Sequence, residues 1–387
     1  MPDEREHDIV VLGATGFTGE LTAQHLARHA PQGTRFALAG RNRGKLEAVR
    51  ERLGADVPLV SADTTDERSL RELAESTKVV ITTVGPYITY GEPVVAACAE
   101  AGTGYLDLTG EPEFMDLMYV RHHRRATETG ARLLHACGFD SIPHDLGVRF
   151  TVEQLPEGVP LHVEGYVRAG GMASGGTIAS ALLIMARMRH AAQAGRQRRA
   201  LEPDPGGRRV RITTGAPKRA EGLYVLPAPT IDPLIVRASA LALDRYGPDF
   251  SYGHYVASKR LPAAAGIAAA VPVLAGVAQL PAARKLVSSR FPPGTGPSES
   301  KRVSSWFKVR FAGEGGGKRV VCEVAGGDPG YGETSKMLAE AALALALDDL
   351  PESAGQVTTA QAMGEALTRR LQRQGIGFSV LASPAST

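Results

Sequence analysis

A glycine-rich turn near the start of the chain constrains the fold more than any other feature. Residues 13–19 read GATGFTG, directly after the apolar run Asp8–Leu12 and before a helical pattern over Glu20–Ala30. Glycines at this spacing allow a tight turn, a close approach of backbone to a pyrophosphate, and close helix–strand packing. The helix N-terminus adds unpaired amides that attract phosphate. We therefore predict a dinucleotide site at Gly13, Thr15, Gly16, Phe17, Thr18 and Gly19.

Strands and helices alternate from residue 8 to residue 140. Apolar, β-branched runs such as Val79–Val84 are separated by stretches with helical spacing, such as Phe114–Thr129. The alternation predicts an α/β fold whose N-terminal part is a doubly wound Rossmann domain, with parallel strands and helices on both faces.

The pattern changes after about residue 146. Trp306–Ala312 and Lys318–Ala325 alternate across a glycine-rich turn and predict a β-hairpin, while Thr177–His190 predicts one long helix. We predict a Rossmann domain at 1–146 and a second, α+β domain at 147–345, with a mostly antiparallel sheet. Helices at 346–387 are expected to pack back on the Rossmann domain.

Basic residues follow the second predicted strand. An enzyme that uses NAD usually has an acidic residue here for the ribose 2′-hydroxyl, whereas this chain has Arg41, with Lys45 close by. A guanidinium suits a 2′-phosphate, which favours NADP; a solvated basic loop is the alternative. Asp63, after the third strand, is placed to reach the adenine amino group, or else caps the next helix.

The fourth strand ends in Val84, Gly85, Pro86 and Tyr87. The carboxyl end of this strand lies beside the path from ribose to nicotinamide, so these residues are predicted to contact NADP(H). The Tyr87 hydroxyl is a candidate catalytic group near the reacting atoms, and a packed tyrosine is the alternative.

Composition excludes several classes of protein. Three widely spaced cysteines argue against a disulfide framework, and a net charge of +3 gives no indication of nucleic-acid binding. The charged N-terminus is not a signal peptide, so we expect a cytoplasmic protein. Residues 261–280 are uncharged but interrupted by two prolines. They predict a buried hairpin or the wall of an apolar channel rather than a membrane span, with peripheral membrane association as an alternative.

Motifs along nearly the whole chain carry a family resemblance. They are GATGFTG at 13–19, AGRNRGKLE at 39–47, TTVGPY at 82–87, YLDLTGE at 105–111, HACGFDSIPHDLG at 135–147, GGT at 175–177, PGTGPS at 293–298 and GDPGY at 327–331. The chain resembles the saccharopine dehydrogenase-like reductases, and within them the trans-acting enoyl reductases of actinobacteria. The resemblance implies NADPH-dependent reduction of a polyketide or fatty acyl enoyl thioester on a carrier protein.

Two other functions stay open on sequence grounds. One is NADPH-dependent reduction of an imine or ketone in secondary metabolism. The other is a non-catalytic, NADP-binding, lipid-associated protein in which the apolar segment at 261–280 matters more than turnover.

Candidate chemistry beyond the cofactor lies at the junction of the two domains. Asp140 and Ser141 are candidate catalytic residues, and an N-cap role for either is the alternative. Asp107, Thr109 and Glu111 line the same cleft or cap the following helix. The histidines near them match no closed zinc pattern, so no metal is predicted.

Two features suggest protein partners. Residues 196–219 carry eight basic side chains, and much of this segment is expected to be loop, with a strand at Arg208–Thr213. The segment predicts either a solvated surface or a docking surface for an acidic acyl carrier protein. The predicted hairpin at 306–325 offers an edge strand that a homodimer could pair.

Overall fold

The computed structural model describes residues 5–170, 175–280, 282 and 298–381, with side chains of 175–180 and 299 excepted. The motif at 293–298 therefore lies outside the described residues, apart from Ser298. The side chains of the GGT motif at 175–177 lie outside them too.

Within the described residues, seven parallel strands form the first sheet, in the order β14-β6-β5-β4-β1-β2-β3. They are β1 (His7–Leu12), β2 (Phe36–Gly40), β3 (Leu59–Ser61), β4 (Thr77–Thr82), β5 (Gly104–Leu106), β6 (Arg132–Leu134) and β14 (Gly355–Gln356). The order reverses between β1 and β4, and this switch point is where open α/β sheets bind nucleotides. The predicted fold class is confirmed.

Helices cover both faces of this sheet. The first six are α1 (Phe17–His29), α2 (Arg43–Leu53), α3 (Glu67–Ser76), α4 (Tyr87–Tyr90), α5 (Glu92–Ala101) and α6 (Pro112–Thr129). Successive β1 residues point to opposite faces: Ile9 and Val11 pack with α1 and α2, whereas Val10 and Leu12 pack with α3, α5 and α6. Such two-sided burial explains why the strands are continuous apolar runs.

The remaining helices are α7 (Ile142–Val152), α8 (Gly175–Ala186), α9 (Met188–Leu201), α10 (Asp232–Ala242), α11 (Leu261–Gln279), α12 (Glu299–Val303), α13 (Gly332–Leu347), α14 (Thr359–Ala362) and α15 (Gly364–Arg373). Of the described helices, α11 is long and apolar enough to cross a membrane.

The second sheet has eight described strands and is mostly antiparallel. They are β7 (Leu161–Gly170), β8 (Arg209–Thr213), β9 (Lys218–Ala220), β10 (Leu223–Pro227), β11 (Asp249–Ser258), β12 (Trp306–Gly315), β13 (Lys318–Gly326) and β15 (Gly377–Leu381). The order is β15-β13-β12-β7-β11-β10-β9, with β8 beside β11. β7 and β11 are parallel neighbours, and all other pairs except β8/β11 are antiparallel.

The predicted hairpin is confirmed, but its predicted exposed edge is wrong. Gly316 and Gly317 both have positive φ and join β12 to β13, as a tight two-residue turn requires. β12 pairs with β7 on its other side, and β13 pairs with β15. The hairpin is therefore interior to the sheet, and the dimer interface inferred from its edge loses its basis.

The single helix predicted at 177–190 needs correction, because it is broken at Arg187, where α8 ends and α9 begins. The segment 196–219 contains the end of α9, the strand β8 and the start of β9. Residues 202–208 and 214–217 lie outside helices and strands, as the prediction that much of this segment is loop requires.

The C-terminal third of the chain contributes to both sheets. α13 packs on α1 and on strands of the first sheet, β14 extends that sheet beside β6, and β15 closes the second sheet beside β13. α15 packs on α13, and α14 on α7. The domain boundaries at 146 and 345 stay a prediction.

Candidate active site

The glycine turn is built so that side chains are excluded from it. Gly13 has a φ of +87°, and a Cβ there would lie 2.8 Å from Thr83 Oγ1 and from Val84 Cγ2. A Cβ on Gly19 would lie 2.3 Å from the Gly13 carbonyl oxygen. Gly16 is the N-cap of α1 and offers no side-chain cap, so the first-turn amides stay available to an anion. The turn fits the pyrophosphate of a dinucleotide.

The other residues of the turn have different neighbours. Thr15 is exposed, whereas Thr18 is half-buried and its carbonyl accepts a hydrogen bond from Thr22 Oγ1 at 2.8 Å. The ring of Phe17 meets the ring of Tyr331 edge-on, with 4.7 Å between centroids. Phe17 thus joins the turn to the residues that precede α13.

The end of β2 carries the residues predicted to select NADP. Arg41 and Lys45 are both exposed, and the Lys45 amide donates to Asn42 Oδ1, the N-cap of α2, at 3.0 Å. Asp63 uses Oδ1 to accept hydrogen bonds from the amide and the hydroxyl of Thr65, both at 2.9 Å. These bonds, together with Arg41, lower the pKa of Asp63. Arg41 fits a 2′-phosphate, whereas Asp63 Oδ1 is engaged in its own turn.

Tyr87 follows the exposed pair Gly85-Pro86 but is itself buried. Its hydroxyl donates to the Thr82 carbonyl at 3.1 Å and accepts from the Leu108 amide at 3.2 Å. The Glu111 carboxylate accepts from the amides of Tyr87 and Ile88, each at 2.9 Å. Burial raises the pKa of Tyr87 well above its ordinary value. These contacts favour the packed-tyrosine alternative over a catalytic hydroxyl.

Asp107, at the end of β5, is completely buried and organises the loops around it. Its Oδ1 accepts from the amides of Thr109 and Ala136, and its Oδ2 accepts from Tyr105 Oη at 2.9 Å. His135 Nδ1 lies 2.6 Å from the same Oδ2. His135 Nε2 is buried and has no hydrogen-bond partner among the described residues. His135 lines a cavity of about 200 Å³ between α6, α9 and α10.

Asp140 and Ser141 lie between β6 and α7. Asp140 is exposed, and its Oδ2 lies 3.7 Å from where a Gly110 Cβ would be. Loss of hydration, followed by the charge of Asp232, raises the pKa of Asp140 to about 6. Ser141 occupies the N-cap of α7, yet its buried hydroxyl makes no capping bond and has no described hydrogen-bond partner. The N-cap alternative therefore lacks its hydrogen bond.

A buried cluster that the sequence analysis did not identify lies behind Asp140. His144 Nδ1 is 2.7 Å from Asp232 Oδ1, and His254 Nε2 is 3.6 Å from Asp232 Oδ2. Tyr252 Oη and His254 Nδ1 are 2.9 Å apart. Neither His144 nitrogen has a well-directed hydrogen bond among the described residues. α7, α10 and β11 each supply a member, so no local motif announces the cluster.

Burial and neighbouring charges shift the pKa values of Asp232 and His254 in this cluster. Burial opposes ionisation of Asp232, but the neighbouring His144 and then His254 lower its pKa overall. Burial lowers the pKa of His254 to about 4, so this ring is neutral near pH 7. Two imidazoles and one carboxylate within 4.8 Å of one another are also a ligand set that a divalent metal ion accepts. The absence of a metal stays a prediction from the sequence.

Side chains from the first sheet and from α8 border a space that we call the cleft. The segments that follow β4 and β5 supply one side of it, at Ile88 and residues 111–113, and the end of α8 supplies the other. At its mouth Leu183 and Ile184 lie against Ile88 and residues 111–113. Arg187 forms a two-pronged ion pair with Glu113, with N–O distances of 2.7 Å. The mouth of the cleft thus combines apolar side chains with an arginine that an ion pair neutralises.

Comparison with known proteins agrees with this arrangement. The family model of the saccharopine dehydrogenase NADP-binding domain matches residues 9–134. A putative trans-acting enoyl reductase of Mycobacterium tuberculosis is 40% identical, over 97% of both chains. A trans-acting enoyl reductase of Mycobacterium ulcerans is 38% identical, over 97% of this chain and 98% of the other. The chain belongs to the trans-acting enoyl reductase branch of the saccharopine dehydrogenase-like family.

Membership makes this reductase an NADP-dependent oxidoreductase, as Arg41 and the glycine turn predicted. The solved structure of saccharopine dehydrogenase (L-Glu forming) from Saccharomyces cerevisiae has the same fold. It superposes with a TM-score of 0.57 over 97% of this chain and 100% of that chain, at 11% identity. An identity this low supports the fold and not the substrate.

Proposed function

We propose that this reductase uses NADPH to saturate the carbon–carbon double bond of an enoyl thioester attached to an acyl carrier protein. Bound NADPH would supply the hydride that adds to the β-carbon. The electron pair of the double bond then moves onto the thioester oxygen, and the α-carbon takes a proton. The protein must therefore hold the acyl chain, stabilise the enolate oxygen and deliver one proton.

The position of Asp140 and its raised pKa carry the proposal. Sheet order brings the ends of β4, β5 and β6 side by side, and Asp140 lies between β6 and α7, close to Gly110 in the segment that follows β5. A carboxyl whose pKa is raised to about 6 keeps a protonated fraction near neutral pH and is a suitable proton donor. The unpaired Ser141 hydroxyl is a candidate hydrogen-bond donor to the enolate oxygen. Tyr87 is left out because its hydroxyl is already engaged.

The mouth of the cleft supports an uncharged acyl chain. Leu183 and Ile184 supply apolar surface there, and the guanidinium of Arg187 is neutralised by Glu113. A substrate with several carboxylates would instead need unpaired cations.

An NADPH-oxidation assay with product mass analysis tests the reaction. The substrates are matched enoyl, ketone and imine compounds, with the first two as pantetheine thioesters. We expect turnover of the enoyl thioester, and Asp140→Asn to lower kcat by about a hundredfold or more with unchanged affinity for NADPH. The matched control is Asp244→Asn, because Asp244 is a fully exposed acid. Turnover of only the ketone or the imine would contradict the proposal.

Only some of the basic side chains at 196–219 are available to dock a carrier protein. Arg198 is buried and paired with Asp116 and Glu202, and Arg208 donates to four backbone carbonyls, so both are structural. Arg196, Arg199 and Arg209 are exposed and are the candidates for an acidic carrier. Reversing these three should raise KM for a carrier-bound substrate and leave KM for the pantetheine thioester unchanged. Equal effects on both substrates would remove the docking role.

A cytoplasmic setting stays part of this proposal.

A further inference from the structure

The helix α11 is exposed along almost its whole length although it is strongly apolar. Leu261–Gln279 has a mean hydropathy of 2.0 and contains no Asp, Glu, Lys or Arg. Only Ala264 and Ala278 are buried. Val271 and Val273 are 45% and 65% exposed. An uncharged surface of this length on a folded protein marks a place where something else covers it.

The topology gathers more apolar surface at the same place. β7 and β11 are parallel neighbours, so their carboxyl ends lie at the same end of the second sheet. They lead into α8 and α11, which pack against each other. Trp306 opens β12 opposite Gly170, the last residue of β7, and is partly exposed. The nearby Val303 is 80% exposed. We call α11, residues 181–186 of α8, Val303 and Trp306 together the apolar platform.

Positive charge flanks the platform at both ends. Lys259 and Arg260 are exposed directly before α11. At the other end, Gln279 Nε2 donates to the Met185 carbonyl at 3.1 Å, which places the end of α11 beside the start of α9, where Arg189 is exposed. Residues 259–280 contain no acidic side chain. Apolar helices with cations at their margins match the interface of an anionic lipid bilayer, where a partly exposed tryptophan is also favoured.

α8 connects this platform to the cleft. Leu183 and Ile184 form part of the cleft mouth, while α8 also packs against α11. An apolar chain held at a lipid surface would therefore meet the mouth without crossing open water.

We infer that the apolar platform docks this reductase on an anionic membrane surface, with α11 lying in the plane of the headgroups. We expect α11 to lie in the plane because it packs against α8 and both helices leave the same end of the second sheet, which keeps α11 on the surface of the fold. The lipid surface is preferred to a second copy of the chain because the cations at the two ends of α11, Lys259, Arg260 and Arg189, would repel across a symmetric contact.

Vesicle flotation of the full-length protein, without substrate, tests the inference separately from the proposed reaction. We expect binding to phosphatidylcholine vesicles that contain phosphatidylglycerol, and weaker binding to phosphatidylcholine alone. Val271→Glu with Val273→Glu should abolish binding. Leu347→Glu with Val380→Glu, at exposed apolar positions elsewhere, should leave it unchanged. Lys259→Ala with Arg260→Ala should weaken binding to the anionic vesicles about thirtyfold.

Unchanged NADPH affinity in each variant shows that the fold survives. Absence of binding to either vesicle, or full binding by the Val271→Glu/Val273→Glu variant, would overturn the inference. A wild-type dimer that becomes monomeric in that variant, together with no vesicle binding, would assign the platform to a second copy of the chain instead.

Discussion

Nδ1 of His144 lies 2.7 Å from Oδ1 of Asp232, and both side chains are almost completely buried. His144 is the main group that lowers the pKa of Asp232, and the negative charge of Asp232 in turn favours the protonated form of Asp140. The buried cluster therefore acts on the candidate proton donor through its charge. Asp232 is a positioning residue, since it is buried and acts on Asp140 through its charge.

Asp232→Asn removes that charge. The pKa of Asp140 should fall, so kcat/KM should begin to decline with rising pH about one pH unit lower than in the wild type. The measurement is kcat/KM for the enoyl thioester between pH 5 and pH 9. A loss of activity at all pH values, with kcat/KM declining at the same pH as in the wild type, would mean that Asp232 is only structural.

Gly19 and Gly44 form a matched pair, because each lies in the first turn of a helix beside the predicted cofactor site. A Cβ on Gly19 would lie 2.3 Å from a backbone carbonyl, so Gly19→Ala should destabilise the fold by about 1–3 kcal/mol and weaken NADPH binding. A Cβ on Gly44 meets only Asn42 Oδ1 at 3.7 Å. Gly44→Ala should therefore stabilise the protein by about 0.5–1 kcal/mol. Urea unfolding and fluorescence titration with NADPH measure both effects.

Arg41→Ala tests the choice of cofactor. Loss of charge-assisted hydrogen bonds to a 2′-phosphate should raise Kd for NADPH about 10- to 100-fold and leave Kd for NADH unchanged. Arg68, an exposed arginine on α3 paired with Glu72, provides the control. Equal weakening for both cofactors would indicate that Arg41 contacts some other part of the dinucleotide.

His254 should make the protein sensitive to acid. Its pKa is about 4 in the fold and near 6.5 when unfolded, so the unfolded state binds more protons below pH 6.5. The contribution of neutral His254 is present above pH 6.5 and is lost as the pH falls toward 4. Between pH 7 and pH 5 the loss should be roughly 2 kcal/mol. His254→Gln should reduce this part of the acid sensitivity, while the exposed His190→Gln should not. Parallel losses in all three proteins would contradict the assignment.

Local sequence was sufficient for the features that depend on local geometry. The glycine turn, the arginine after β2 and the alternating hairpin strands each use residues that are neighbours in the chain, so the pattern and the contact coincide. The cluster of His144, Asp232 and His254 could not be predicted, because it depends on how α10 and β11 pack against α7. The same reason hid Asp116, the carboxylate on α6 that turns Arg198 from a docking candidate into a buried ion pair.

Pairing between strands that are distant in sequence also determines whether the hairpin at 306–325 lies at the edge of the second sheet. The alternation of residues 306–325 correctly predicted a hairpin, but it carried no information about β7 or β15, which pair with its two outer sides. Such register is set by the whole sheet and not by the hairpin.

The placement of α13 has a consequence for how the protein can be divided. Seven of its residues, from Met337 to Ala344, have no exposed side-chain surface, and they cover one face of the nucleotide-binding sheet from a position late in the chain. A fragment ending near residue 146 would carry the complete glycine turn and yet present that face to water. We expect such a fragment to aggregate, so nucleotide binding in this reductase is a property of the entire polypeptide and not of a portable N-terminal module.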